Sequence, residues 1–374
     1  MQEVISRRTG AVIVGFVLVA LAYVLAAEDA QAWPQQASRN VTISCAQDID
    51  AVINADPSGT TTRFVLDDSC THVASEVVDP KDGDEIVCET APTVDVLFGS
   101  NPATEPTAYD PSVQCQINGS AGSTNVMHPD GSFFMEGVRV SGGAMPYNGT
   151  GTGAGIGEGQ MDNDSWIQFV RVTGTPALGI SNAHGVHHGI ELDNTTTDSS
   201  ALGVTGSGIK GVDEFNVQHS YIRANQGNGI WCDVYCNDVT NAPFSVAHFN
   251  SNLIQNNGRA GIRYEEANDS GEDSEPTAGE TIIENNRVFG NATEVGATHG
   301  GVDVRDAAHA LIRDNIFDNN ADGIAVRVSD SNRSDRPDVA DIDIIDNILN
   351  GDTISGNRDC SQPDTITLCS GNTP

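Results

Sequence analysis

Eight residues in the second half of the chain have the types and spacing to do chemistry. Lys210, Trp231, Arg263 and Asp303 each lie two positions after a glycine, and Asp233, Glu265 and Arg305 lie two positions further on, with Arg327 four positions after Gly323. In an extended strand alternate residues share a face, and stacked strands turn such positions into columns. With the aliphatic residue after each glycine facing inward, one outward column is Lys210, Trp231, Arg263, Asp303, Ala325. The next is Val212, Asp233, Glu265, Arg305, Arg327. An indole beside guanidinium forks and carboxylates suits a groove that stacks sugar rings and holds their hydroxyls or carboxylates. Two reactions fit. In β-elimination Lys210 or Arg263 takes the proton next to a uronate carboxylate while a cation or a neighbouring arginine neutralises that carboxylate. In hydrolysis Asp233 and Glu265, on adjacent coils, act as the acid and base pair, at about 5 to 9 Å separation. The rival reading is a surface salt-bridge network in which Lys210, Arg263 and Arg305 pair with Asp233, Glu265 and Asp303. A second cluster, His184, His187, His188, Glu191 and Asp193, has the types for metal binding or base catalysis, against the simpler reading of a polar loop rim.

These columns exist only if strands stack, and the sequence repeats in the way stacking requires. Five segments, starting near His219, Asn250, Glu284, Arg313 and Ile345, read as a short strand, an Asn-rich corner and, in the first four, a glycine and a second strand. The second strands open at Gly208, Gly229, Gly261, Gly301 and Gly323, so the steps are 21, 32, 40 and 22 residues. A unit near 20 residues with insertions, built of strands, cannot bury its own face and must stack into a solenoid. The expected fold is therefore all-β, a right-handed parallel β-helix. Asn252, Asn286, Asn315 and Asn347, with Ser220 before them, share one corner position. Asn225, Asn257, Asn291 and Asn320 share another. Coils about 4.8 Å apart let such amides form a ladder, and Asn tolerates the left-handed backbone of a tight corner.

Toward the front, Gln47–Ala55 carries helical spacing at Ile49, Val52 and Ile53. A short helix there caps the open end of the solenoid. Strand-like runs from Arg63 to Glu89 form the first coil, and Phe133–Val140 and Trp166–Val172 resume the series. Leu97–Asn118 and the glycine run Gly149–Gly159 read as loops; the latter lacks the Lys-Ser/Thr ending of a phosphate loop. The expected organisation is a signal or uncleaved anchor over 1–32, one β-helix domain over 33–356 and a disulfide-tied tail over 357–374.

The N-terminus points to export. An apolar run from Ala11 to Ala27 follows Arg7 and Arg8 and precedes the small-residue site Ala30-Gln31-Ala32, the layout of a secretory signal. The eight cysteines fall as sequence-near pairs, Cys45 with Cys70, Cys88 with Cys115, Cys232 with Cys236 and Cys360 with Cys369. They are expected as disulfides, since paired C-x-x-C spacings of zinc ribbons are lacking. A formal charge of −34 repels nucleic acid and anionic membrane, which excludes both as partners apart from a retained N-terminal anchor. Such a surface suits a salty medium or divalent cation. The acidic stretch Glu265–Glu275 makes calcium the one cofactor expected, if any, against the reading of a solvated insertion. A monomer acting on a polysaccharide is expected.

The corner LIQNNG at Leu253–Gly258, and the rungs GSGIKG, NGIWCD and AGIRYE between Gly206 and Glu265, resemble the right-handed β-helix repeats of the pectate-lyase-like superfamily, in particular secreted bacterial members. The resemblance implies fold more than activity, because that superfamily contains lyases, hydrolases, epimerases, esterases, phage spikes and surface proteins without catalysis. Periplasmic copper-delivery proteins share such repeats as well. Tyr264 stands where resembling rungs carry histidine, so a catalytic role at that position is not implied here. Neither a pectate-lyase calcium cluster nor the paired aspartates of polygalacturonases is recognisable. The resemblance therefore leaves two functions open, polysaccharide cleavage on the charged face and a stiff adhesive or structural rod.

Overall fold

A computed structural model describes residues 37–373 apart from 58, 98–107, 120–124, 144–153, 158–164, 176–177, 182–184, 189–190, 194–205, 212–214, 234–246, 266–280, 295–298, 307, 330–339 and 357–367. Three parallel sheets run the length of this body, with 12, 9 and 7 strands among the described residues. Each coil visits the three in turn. His248–Asn250 lies in the first sheet, Leu253–Gln255 in the second and Ile262–Glu265 in the third, and each pairs with the equivalent strand of the next coil. The fold is a right-handed parallel β-helix.

The core is made of stacked inward columns. On the first sheet Phe64, Ile86, Met135 and Ile167 follow one another in register. On the second Val140, Val172, Leu192, Ile222, Ile254, Val288 and Phe317 do so; Val140, Val172, Ile222, Ile254, Val288 and Phe317, like the four of the first sheet, are buried. Burial of each such side chain contributes about 1.5–3 kcal/mol, and because every coil adds one residue per column, the core lengthens with the chain.

Both asparagine ladders form. Asn252 donates its backbone and side-chain N–H groups to the Asn286 side-chain oxygen at 3.0 and 2.9 Å, and the pattern continues through Asn315 and Asn347 to Asn372. The second ladder runs from Asn225 through Asn257, Asn291 and Asn320 and ends on a carboxylate, Asp352. The left-handed corner residue is not the ladder asparagine. It is the residue before it at the first corner, His219, Ser251, Asn285, Asp314 and Asp346, with φ between 50° and 57°. The ladder side chain must point into the corner, and its predecessor takes the bend.

The cap is a helix at Ile49–Asn54 that buries Ile49 and Ile53. Cys45–Cys70 and Cys88–Cys115 are disulfides. Cys232 and Cys369 are disulfide-bonded too, while Cys236 and Cys360 lie outside the described residues. Two expected loops carry strands. Thr93–Leu97 and Ala108–Ser112 form an antiparallel pair, and Cys115–Gly119 joins the second sheet. Within the glycine run, Ile156 is buried and bridges Met127 and Ile180, so Ala154–Gly157 supplies a rung of the third sheet. Its glycines are required by close approach: a Cβ on Gly155 would lie 2.5 Å from Val172. Leu368–Ser370, in the expected tail, adds a strand to the first sheet. No helix among the described residues is long and apolar enough to cross a membrane; the apolar run Ala11–Ala27 lies outside them.

Candidate functional site

The candidate residues sit on the outer face of the third sheet. Its strands include Ile209–Gly211, Ile230–Cys232, Ile262–Glu265, Val302–Arg305 and Ile324–Ser329. Their inward residues Cys232, Tyr264, Val304 and Val326 are fully buried, which leaves the intervening side chains on the other face. Tyr264 is thus a core residue. Glycine is needed before these strands because neighbouring coils approach closely: a Cβ on Gly261 would lie 2.7 Å from the Gly301 carbonyl oxygen.

The register follows the expected columns as far as Asp303 and Arg305 and corrects both at the last coil. Lys210 pairs with Trp231, Trp231 with Arg263, and Arg263 with Asp303. Asp303 then pairs with Arg327, not Ala325, while Arg305 pairs with Ser329. The shift arises because Gly323, at φ 64°, ends a short 3-10 turn at Ala321–Gly323 and does not take the place of the repeat glycine. The space beside Gly301 is filled by the backbone of Ala325. Arg327 therefore stands in the same column as Lys210, two residues from its expected place.

The face is recessed rather than open. Asp303 is 0% exposed, Arg263 8% and Glu265 9%. Asp303 was expected to contact substrate; total burial excludes that role in this conformation. Its two oxygens are instead occupied by Nδ1 of His299 at 2.7 Å and Nη1 of Arg327 at 3.2 Å. Burial by itself would raise the Asp303 pKa, but the His299 hydrogen bond and the charges of His299, Arg263 and Arg327 outweigh it and hold the carboxyl below its usual range.

Arg263 is locked from the opposite side. It pairs with Glu265 on its own strand. Burial acts to lower its pKa, yet the Glu265 charge and hydrogen bond, with Asp303 and Asp233 nearby, raise it further above its ordinary value. As it stands in the structure, the Arg263 guanidinium is a nearly buried positive charge paired with Glu265. Lys210 is ion-paired with Asp233 of the next coil at 2.8 Å, and Glu265 also accepts the Trp231 indole N–H at 3.0 Å. Arg305 lies 3.7 Å from the neighbouring Asp306 and keeps 40% side-chain exposure.

Trp231 differs from the open stacking platform expected. The Lys210 ammonium lies 4.8 Å from its ring centroid and the Arg263 guanidinium 5.6 Å, one from the coil on each side. These are cation–π distances. The ring bridges two cations and is half-buried.

One residue of this face escaped the sequence reading. His299 lies in the insertion before Val302 and shows no repeat position, so the column pattern does not reach it. Its i, i+4 spacing to Asp303 was the available signal. The other histidine cluster is mostly beyond description: His184 lies outside the described residues, and His187 is placed only by its backbone register with Ile167 and Val217, two buried positions. Of the acidic stretch expected to hold calcium, only Glu265 is described. A separate acidic group, Asp67, Asp68 and Glu89, has ligand atoms within 4.8 Å of one another.

No protein-family model matches the chain, and no curated protein matches it. Solved structures do. The chain is similar to the A-module of a mannuronan C-5 epimerase from Azotobacter vinelandii, at 11% identity and TM-score 0.47, covering 87% of this chain and 94% of that one. It is similar to a pectate lyase at 10% identity and TM-score 0.48, covering 89% and 85%. It is also similar to the catalytic domain of a GH87 α-1,3-glucanase solved with tetrasaccharides, at 12% identity and TM-score 0.48, covering 91% and 70%.

Proposed function

We propose that the protein is an exported, monomeric, carbohydrate-active β-helix protein that binds an anionic polysaccharide along the third sheet and cleaves it by β-elimination. In this reading residues 1–32 are the export signal, 33–356 the β-helix and 357–374 its disulfide-tied tail. The carrying observation is the column of Lys210, Trp231, Arg263, Asp303 and Arg327 in continuous register. A chain of net charge −34 with 18 Lys and Arg residues gathers four of its cations, Lys210, Arg263, Arg305 and Arg327, on one strip. Arg305 and Arg327 are the better exposed and can meet a uronate carboxylate, whose charge must be neutralised before the neighbouring C–H bond yields its proton.

Purified protein is incubated with a panel of uronic-acid and neutral polysaccharides, with calcium and salt present, and unsaturated-product absorbance is read alongside reducing ends. A rise in absorbance that Arg327→Ala abolishes supports the lyase. Reducing ends without absorbance direct attention to Asp233 and Glu265 as a hydrolytic pair. One observation favours a second reading, a non-catalytic binding rod: Lys210 with Asp233, Arg263 with Glu265 and Arg327 with Asp303 are already paired. Polymer binding without any product selects it.

A further inference from the structure

The geometry points to His299 as the proton-transfer residue of this face, with Asp303 as the residue that positions it. The inference rests on the polysaccharide-cleaving reading and supplies the group that reading lacks. An elimination needs a base that can lose and regain a proton. The Arg263 guanidinium is 8% exposed and paired with Glu265, and the Lys210 ammonium is engaged by Asp233 at 2.8 Å and faces the Trp231 ring at 4.8 Å. His299 has the opposite arrangement. Its Nδ1 donates to the Asp303 carboxylate at 2.7 Å. A histidine that gives its Nδ1 proton to a carboxylate in this way carries its lone pair on Nε2, and the ring cannot rotate without breaking the bond.

Asp303 is well built for the positioning role. It is 0% exposed, which keeps water from competing for its oxygens. Its second oxygen is held by Arg327 at 3.2 Å, and Arg263 stands beside it in register on the preceding coil. A buried carboxylate flanked by two guanidinium groups stays ionised, and it stabilises the imidazolium formed when His299 takes a proton. The His299 side chain keeps 15% exposure against 0% for Asp303, so the imidazole is the solvent-reachable end of the dyad.

The step balances as follows. The Nε2 lone pair takes the proton from the carbon next to the uronate carboxylate. The electron pair of that C–H bond forms the new C=C bond, the glycosidic C–O bond on the adjacent carbon breaks, and the departing oxygen takes a proton from water. The imidazolium then returns its proton to solvent. Arg327 and Arg305 stand on the same strip to neutralise the carboxylate through the transition state.

The test compares the wild-type protein with His299→Ala, His299→Gln, Asp303→Asn and, as a control on the first sheet, Glu284→Gln. Product formation, polymer binding by affinity electrophoresis and thermal melting are followed together. His299→Ala is expected to lower kcat by about 100-fold or more, with KM and polymer binding nearly unchanged. Added imidazole should restore part of the lost rate, which a purely structural role would not allow. His299→Gln retains a hydrogen-bond donor for Asp303 yet takes no proton, so it should melt near wild type and stay as inactive as the alanine variant. Asp303→Asn should lower kcat by a smaller factor. Wild-type activity that survives in both His299 variants overturns the inference and leaves the cleaving reading intact. A wild-type protein that binds polymer and releases no product overturns both.

Discussion

The asparagine corners and the charged strip of the third sheet are both columns of equivalent residues, and they differ in what they repeat. At the corner the same amide recurs coil after coil, fully buried, and each one completes the hydrogen bonds of the coil before it. Along the strip the residue changes at every coil, from Lys210 to Trp231, Arg263, Asp303 and Arg327, and each change is answered by a local partner. Uniform columns satisfy a demand that every coil makes. A varied column with buried charge satisfies no such demand, and its cost in desolvation is the physical reason to look there for function.

The largest expected effect breaks the corner. Asn286→Leu strips acceptors from the Asn252 backbone and side-chain N–H groups and the donor from the Phe249 carbonyl. A loss of about 4 kcal/mol is expected from groups left buried and unpaired, and urea denaturation monitored by circular dichroism measures it. Asp303→Ala comes next. It leaves Arg263 and Arg327 facing each other across an emptied site, for about 3 kcal/mol of destabilisation in the same assay. If Asp303→Ala melts like wild type, the strip is not the buried charge system described here.

Acid sharpens the contrast, because the ladder amides do not titrate. Asp303 and Glu284 both have folded-state pKa values below the ordinary carboxylate value, Glu284 through Arg313 and His248 acting against its burial. Each contributes stability that is fully present above the unfolded value near 4 and lost as pH falls through the folded value. Stability measured from pH 7 downward should therefore hold to about pH 4 and then decline, and Asp303→Asn should make that decline shallower. Smaller still, Trp231→Phe keeps a smaller aromatic ring between the two cations and removes the N–H to Glu265, for about 1 kcal/mol. Lys210→Met should cost under about 1 kcal/mol of stability while weakening binding of an anionic polymer. A change in stability with no change in binding would assign Lys210 to the scaffold.

Much of this was legible in the residue pattern, for reasons visible in particular positions. The asparagines announce themselves because a ladder requires one residue type at one place in every coil. Cys232, Tyr264, Val304 and Val326 were read as inward correctly because strand alternation has a period of two. The pattern misled where a coil departed from the repeat. Gly323 looked like the glycines before it, yet it ends a turn, and that displaced Arg327 by two residues. Ile156 was hidden in a glycine run because a single buried residue carries no periodicity. His299 belongs to an insertion, so it had no column to be read from.

The sequence by itself determined the solenoid, its corner ladders and most of the side chains of the third sheet that face outward. Those follow from local spacing, since each coil repeats the same short pattern of apolar, Asn and Gly positions. Only the tertiary structure decided that the outward face is recessed, that Asp303 is buried beneath it, and that His299 and Arg327 meet on its carboxylate. Burial and charge pairing depend on how neighbouring coils meet at a position, and that information lies in contacts between residues far apart in the chain.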